Sequence, residues 1–485
     1  MNAPIRRLAA VVLVMFGTLL LSSTYIQFVQ ASSLRDQPGN RRTLLANYAR
    51  ERGPILVGGK PIAQSVATDD ELRYRRRYPS AELYAHLTGY YSFVYGAGSG
   101  IERSEDALLS GSSDQLFYRR MVDLVTGRKA QGASVELTID AAAQRAAEEG
   151  LGDQRGAVVA LDPRTGAILA MVSSPTYDPN RLTGHDVNQV QKAYKRLNAD
   201  EDDPMVNRAI SGDLYPPGST FKIVTSAAAL SSGKYDEHSQ VYGGAVLDLP
   251  QTTADLPNHS PEPCGPGNRV DLTRALEISC NTAFGSLGLS LGGDALREQA
   301  AKFGFGDRLN VPMPVTPSTV PTGMNPPQTA QAAIGQFDVR VTPLQMAMVS
   351  AGVANRGVVM SPYAVKTVRS PDLDVLEQAR PQQLSEAVSP DVAAQLTRMM
   401  EKVVTDGTGT RAQIPGVSVA GKTGTAQQGK GEPPHAWFTA FAPSDDPKVA
   451  VAVVVEDGGS AGSEAAGGAV AAPIAKSVME AVLDR

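Results

Sequence analysis

The chain has 485 residues, enough for two or three domains around one sizeable core. Its net charge of −5 mixes both signs along the length, and no basic block points to nucleic acid. The five histidines (His86, His185, His238, His259, His435) show no H-x-x-x-H spacing and the two cysteines no C-x-x-C, so neither a metal site nor a cofactor is expected.

From the N-terminus, residues 8–28 read LAAVVLVMFGTLLLSSTYIQF, with no charge between Arg7 and Arg35. About 20 apolar residues span a bilayer core as a helix. Arg6 and Arg7 precede the run, so residues 1–7 are expected in the cytoplasm and the remainder outside. The rival reading is a cleaved signal peptide, with Val29-Gln30-Ala31 as a small-residue cleavage site. The run exceeds a typical signal-peptide core, which favours an uncleaved single-pass anchor in the cell membrane. Cys264 and Cys280 then lie in an oxidising compartment, where an even count points to a disulfide; two unpaired thiols are the alternative. The loop so closed, about 15 residues, adds about 3 kcal/mol in the chain-entropy model.

Residues 31–145 read as a separate, less compact region. Arg41 to Arg52 is basic, and Arg52-Gly53-Pro54-Ile55-Leu56-Val57-Gly58-Gly59-Lys60 has the glycines of a hairpin. Arg73 to Arg77 (RYRRR) is a charge run of the kind that usually forms a solvated face. Tyr90 to Gly98 reads as strand plus turn. Glu136 to Asp140 reads as a short strand before an alanine-rich helix, Ala141 to Glu149, stopped by Gly150.

A large domain follows, residues 156–485. Ala157–Leu161 and Ala167–Val172 flank Asp162-Pro163-Arg164-Thr165-Gly166 and form a hairpin. Ala436–Phe441 and Val449–Val455 form a second apolar pair, followed by an amphipathic helix from Ala471 to Leu483. Strands at both ends with a helical middle predict an α+β domain: one antiparallel sheet drawn from both ends and flanked by helices, plus a helical lobe from about 185 to 405.

Three motifs carry chemistry. Ser219-Thr220-Phe221-Lys222 opens an apolar helix directly after Tyr215-Pro216-Pro217-Gly218. Residues three apart at a helix start share one face, which sets an amine beside a hydroxyl. Burial of that helix lowers the lysine pKa, as a base for a serine nucleophile requires. The helix N-terminus also favours developing negative charge, although an ordinary N-cap serine has the same address. Ser279-Cys280-Asn281 lies in a turn after a helix capped by Asp271. A hydroxyl there can relay a proton, and an amide can hold a lysine and a substrate carbonyl. Val417 to Thr425 alternates like a strand. Lys422 supplies a cation, Thr423 and Thr425 share a face, and Gly424 leaves the backbone open to a peptide. The plain alternatives are a polar turn and an edge strand guarded by a lysine.

Two decoys overlap this ground. Gly416 to Thr423 matches a phosphate loop, but a true one lies between a buried strand and a helix and serves cytoplasmic nucleotide. Gly288-Leu289-Ser290-Leu291-Gly292 matches a nucleophile elbow, but at the end of a helix-like run. His435 reads as a strand-entry residue rather than a catalytic base.

With S-x-x-K, S-x-N and K-T-G in that order on one anchored chain, the sequence resembles the class B penicillin-binding proteins, the monofunctional D,D-transpeptidases of cell-wall synthesis. It is most similar to their short members associated with septum formation in high-GC Gram-positive bacteria. The likeness covers Gly156 to Asn180, the three motifs and Ile334-Gly335-Gln336. It is weaker at Arg52–Ile55 and Gly100–Glu102, which look like parts of the non-catalytic pedestal domain. The resemblance implies that Ser219 is acylated by the penultimate D-alanine of a stem peptide ending in D-Ala-D-Ala, with Lys222 as base. It implies that Ser279 and Asn281, with Lys422, pass the proton to the leaving amine. Thr423 and Thr425 hold the terminal carboxylate, with Gly424 between them. The N–H groups of Ser219 and Thr425 form the oxyanion hole, a feature worth about 10²–10³-fold per donor elsewhere. A second stem peptide's amine closes the cross-link, and β-lactams act as covalent inhibitors. About 110 residues between anchor and catalytic region leave little room for a glycosyltransferase domain, so a separate membrane glycan polymerase is implied as a partner.

The cysteine inside the second motif departs from the family pattern. Ser-Thr-Phe-Lys also looks like the class D β-lactamases, which are soluble and much shorter; rapid turnover of penicillin marks that alternative. A catalytically idle anchor that recruits a division complex is a third reading, and a D,D-carboxypeptidase differs only in using water as acceptor.

Overall fold

Asn2–Phe28 form one helix, α1, whose side chains are almost all exposed. Its stretch Pro4–Gln27 is long and apolar enough to cross a membrane. The structure is a computed structural model that describes residues 2–28, 30, 48, 50–127, 131–429, 431–464 and 466–484. Val29 and Ala31 of the candidate cleavage site, and Arg41 and Arg42 of the basic stretch, lie outside the described residues.

Strands β1 (Ile55–Val57) and β2 (Lys60–Ala67) pair as the expected hairpin, its turn made by Gly58 and Gly59 at φ 56° and 73°. Strand β3 (Tyr74–Arg77) continues the sheet beyond β2, and β4 (Ser134–Leu137) lies parallel to β1 on its other side. The charge run at Arg73–Arg77 is therefore not a uniformly solvated face. Strand alternation turns Arg76 inward, where it is buried and donates from Nε to Glu102 Oε1 at 2.6 Å. Arg52 donates from Nε to Glu102 Oε2 at 2.6 Å, and Tyr78 from its hydroxyl to Oε1 at 3.1 Å.

Burial pushes the Glu102 carboxyl up, but the charges of Arg76 and Arg52 outweigh it and hold it below the usual value of 4.5. An acid depressed by folding contributes stability that is present above its unfolded pKa and lost as pH falls through the folded one. Glu102→Ala leaves buried Arg76 without its carboxylate and Arg52 with only Asp106, whose Oδ1 accepts from Arg52 Nη1 at 2.6 Å. It should lower the unfolding free energy by about 3–5 kcal/mol in a urea titration at neutral pH, and by less in acid.

Helix α2 (Ala141–Leu151) starts at the Asp140 side chain, which accepts from the N–H groups of Ala142 and Ala143. It passes through Gly150 instead of stopping there, because a Cβ at 150 would stand 2.8 Å from Ile474 Cγ2; the glycine serves close packing. β5 (Gly156–Leu161) and β6 (Ile168–Ser174) form the expected hairpin. A later pair, β7 (Val365–Arg369) and β8 (Val375–Gln378), belongs instead to the first sheet, whose order is β8-β7-β4-β1-β2-β3. The N-terminal region is thus joined to the rest of the chain by a hydrogen-bond ladder, which the reading of residues 31–145 as separate does not anticipate.

Between β6 and the last strands the chain is mainly helical: α3 (Lys222–Ser231), α4 (Leu272–Glu277), α5 (Asn281–Leu291), α6 (Pro343–Ala354) and α7 (Pro390–Thr405). The chain then adds β9 (Ala420–Ala426), β10 (His435–Ala442) and β11 (Val449–Val455). The second sheet runs β9-β10-β11-β5-β6, antiparallel throughout, and so draws on both ends of the domain as expected. Helices α2 and α8 (Gly467–Leu483) cover one face, and α6 packs on the other. Every residue of β10 and β11 is buried, which is why these strands read as continuous apolar runs rather than alternating ones. Helix α8 begins four residues before the expected Ala471, at Gly467, where a Cβ would strike Trp437 O at 2.0 Å.

Candidate active site

Gly218 and Gly335 build the approach to Ser219. Gly218 has φ 53° and donates its N–H to Gly335 O at 2.9 Å. Gly335 has φ 75°, and a Cβ there would stand 2.0 Å from Gly218 O. Ile334-Gly335-Gln336 is therefore the clamp on the turn before the serine. The lone tryptophan adds a second hold, since Trp437 donates from Nε1 to Pro216 O at 3.1 Å. Ser219 is the second residue of a 3-10 turn, Gly218–Phe221, that runs into α3. It is half-buried, and its hydroxyl makes no hydrogen bond among the described residues.

One helical turn on, Lys222 is fully buried. Its Nζ donates to Ser279 O at 2.7 Å and to Asn281 Oδ1 at 2.8 Å, and lies 3.2 Å from Ser279 Oγ. Burial first, and the charge of Lys422 second, push the Lys222 amine well below the ordinary lysine range. A short hydrogen-bonded distance to carbonyl oxygens on two sides fixes the amine while leaving it one free direction.

Ser279 and Asn281 are presented as expected, in a turn between α4 and α5, with the Asp271 side chain accepting from Arg274 N at the start of α4. Ser279 has φ 62°, a left-handed conformation that a residue with a Cβ adopts only under constraint. The constraint is visible: Cys280 N donates to Ala275 O at 2.8 Å, Thr282 N to Asn258 Oδ1 at 3.0 Å, and Cys280 is bonded to Cys264. The disulfide pins the motif to the segment before β-paired Arg269–Asp271.

Lys422, Thr423, Gly424 and Thr425 lie on β9, opposite Thr439, Phe438, Trp437 and Ala436 of β10. Lys422 is fully buried, donates to Thr423 O at 2.9 Å, and is pushed down to about 7 by burial. Gly424 has a packing reason that the sequence does not announce. A Cβ there would meet Trp437 Cβ at 2.9 Å, Pro217 O at 3.0 Å and Thr220 Cγ2 at 3.0 Å. Its missing side chain lets the serine turn seat on β9. Thr425 is half-buried. Thr423 shares a 2.6 Å hydrogen bond with Thr408, a hydroxyl that sequence reasoning missed. The only signal for it was the flanking pair Gly407 and Gly409; a Cβ on Gly407 would stand 2.5 Å from Glu277 O.

The decoys fall away on geometry. Ala420–Ala426 is a strand followed by another strand, with no helix for a phosphate loop to open. Gly288 and Ser290 lie within α5. His435 begins β10, and its Nδ1 accepts from Asp457 N at 3.2 Å, which engages the nitrogen a base would use.

Residues 156–480 match the penicillin binding protein transpeptidase domain model, and residues 52–135 match the penicillin binding protein A dimerisation domain model. A relative from Mycolicibacterium smegmatis, peptidoglycan D,D-transpeptidase PbpA, is 46% identical over 499 residues, covering 100% of this chain and 99% of its own. Among solved structures, the ceftriaxone acyl-enzyme of penicillin-binding protein A from M. tuberculosis aligns with TM-score 0.88 at 44% identity, over 90% of this chain and 100% of that one. The penicillin G acyl-enzyme of the same protein gives 0.85 at 44% identity with the same coverage. Near-identical length, all three motifs in one site and an alignment that spans both regions place the chain in a single family: similar to penicillin-binding protein A, it belongs to the class B penicillin-binding proteins, the D,D-transpeptidases.

Proposed function

We propose that this chain cross-links peptidoglycan stem peptides through an acyl-enzyme on Ser219. The observation that carries the reading is the buried Lys222 amine. It is held by Ser279 and Asn281 beside a second buried lysine, with its basicity set low and a free serine hydroxyl one helical turn away. A neutral amine has two N–H groups and one lone pair. Ser279 O and Asn281 Oδ1 take the two N–H groups, and the lone pair is left for a hydroxyl proton.

Ser219 Oγ adds to the penultimate D-alanine carbonyl as its proton passes to Lys222. The oxyanion receives N–H bonds from Ser219 and Thr425. Ser279 Oγ, 3.2 Å from Lys222 Nζ, hands a proton to the leaving amine and regains one from Lys222, so terminal D-alanine departs neutral at nitrogen. An acceptor amine then attacks the ester, forms the cross-link and returns the proton to Ser219. Lys422, Thr423 and Thr425 hold the terminal carboxylate.

Residues 1–7 face the cytoplasm, 8–28 anchor the chain in the membrane, 31–145 form the pedestal and 156–485 the extracytoplasmic catalytic domain. A separate glycan polymerase supplies the strands, and the work is septal or cell-division wall synthesis. The test is intact mass after incubation with penicillin G, followed by peptide mapping. One stoichiometric adduct on the peptide containing Ser219, slow to release and absent from Ser219→Ala, is expected. An adduct elsewhere, or fast catalytic turnover of the drug, overturns the reading.

A further inference from the structure

The Asn281 amide can face Lys222 in two ways, with opposite effects on the base. With Oδ1 toward Nζ, the amine donates to it and keeps its lone pair; this is the observed arrangement, at 2.8 Å. Turned over, the amide would aim its N–H groups at the amine and occupy that lone pair. What decides between the two lies on the other side of the amide, where Asn281 Nδ2 donates to Pro257 O at 3.3 Å. A backbone carbonyl only accepts, so a flipped amide would set two oxygens against each other there. Pro257 O therefore selects the orientation that leaves the base free.

Pro257 is itself held in place. It ends a two-stranded antiparallel hairpin, Val246–Asp248 with Asp255–Pro257. The hairpin seats on α5 where Gly285 makes room: a Cβ there would stand 2.5 Å from Leu256 Cδ2 and 3.1 Å from Leu247 Cδ2. The next residue, half-buried Asn258, ties the hairpin end down. Its Nδ2 donates to Gly244 O at 2.9 Å and to Glu262 O at 3.3 Å, and its Oδ1 accepts from Thr282 N at 3.0 Å. The last of these supplies a helix cap. Helix α5 begins after Cys280, whose side chain makes no cap bond, so Asn258 satisfies an N-terminal N–H from a distant segment. One side chain thus fixes both the helix end that carries Asn281 and the carbonyl that turns its amide.

We infer that Asn258 is a positioning residue for acylation: through Pro257 it keeps the Asn281 oxygen on Lys222 and the lysine lone pair free for Ser219. This rests on the function proposed above. The test follows penicillin G acylation of the full chain in detergent by intact mass against time. Rates are taken per site finally labelled, so any misfolded fraction drops out. Asn258→Ala should slow acylation about 10-fold in the wild-type background but less than about 2-fold in Asn281→Ala, because the two residues act in series. It should also move the acid limb of the pH profile to lower pH. Loss of the Oδ1 acceptor disfavours the charged lysine and a turned amide favours the neutral one, so both lower the Lys222 pKa. The other groups that bear on Lys222 stay in place: Lys422 on β9, Ser279, and the Phe284 ring with its centroid 5.4 Å from Nζ. Asn258→Ser, which leaves one hydroxyl in place of the amide, is taken through the same cycle, so poor folding of one variant does not decide the outcome. Equal losses in the two backgrounds with an unmoved limb, or no loss at all, overturn the positioning role while penicillin still maps to Ser219. Failure of penicillin to label Ser219 in the wild-type chain overturns the catalytic reading beneath it.

Discussion

Lys222→Met should cut the rate of penicillin acylation by about 10²–10⁴-fold, the range a positioned base supplies, while the protein stays folded. Methionine matches the length and apolar volume of the lysine but has no lone pair to take the serine proton. Stopped-flow quenching or mass spectrometry against time reads the rate, and the Ser219 adduct still forms at long times if only the base is gone. The wild-type protein should lose acylation tenfold per pH unit on the acid side, as protonation consumes the base. The two buried lysines are coupled, so the limb reports the pair. Lys422→Met removes the neighbouring charge that lowers Lys222, and should move that limb to higher pH.

The same lysines carry a stability signature. Lys422 titrates near 7 when folded against 10.5 when exposed, so the unfolded chain binds the extra proton between those values. Stability therefore rises with pH from about 7 to about 10.5, by roughly 5 kcal/mol for this group, and is insensitive to it below about 7. Lys422→Met should flatten that rise in urea titrations.

Gly335→Ala should unfold at markedly lower denaturant and lose acylation, although residue 335 touches no substrate. The methyl would stand 2.0 Å from Gly218 O and 2.9 Å from Gly218 N, on a residue held at φ 75°. Left-handed backbone costs an alanine about 1–2 kcal/mol, and a forced overlap adds about 1–3. Gly218 immediately precedes Ser219, so any relief of the overlap moves the nucleophile. Gly416→Ala is the control: its φ is 76°, but nothing lies within 4 Å of the added carbon. It should cost only the backbone share and leave acylation intact. Equal losses in the two variants would mean that the 218–335 contact does not position the serine.

The chemistry could be read from sequence because it demands given residue types at given offsets. Ser219 and Lys222 share a helix face by spacing alone, and Asp271 announces the helix that presents Ser279. The two-ended sheet followed from where the apolar runs fall. What could not be read depends on meetings between distant segments. Nothing around Arg76 reveals that Glu102 will close over it, so a run of arginines looked like surface. Gly150 looked like a helix stop because its reason is Ile474, far along the chain. The packing reason for Gly424 was hidden because Pro217 and Thr220, which a Cβ there would meet, arrive from another element. Thr408 carries no motif, and its bond to Thr423 exists only once α7 has packed beside β9.

Strand β11 sits in the middle of its sheet, between β10 and β5, yet it is the last strand made. Synthesis must reach Val455 before the early hairpin β5–β6 has a neighbour to bind, and Ala442 before β9, which carries Lys422, has its partner strand. A ribosome that halts after Lys222 but before β11 is made releases a product with Ser219 and Lys222 but no completed sheet beside them. Nascent and truncated forms are thereby kept from cross-linking anything, and no nonsense allele upstream of that point should leave a drug-labelled fragment.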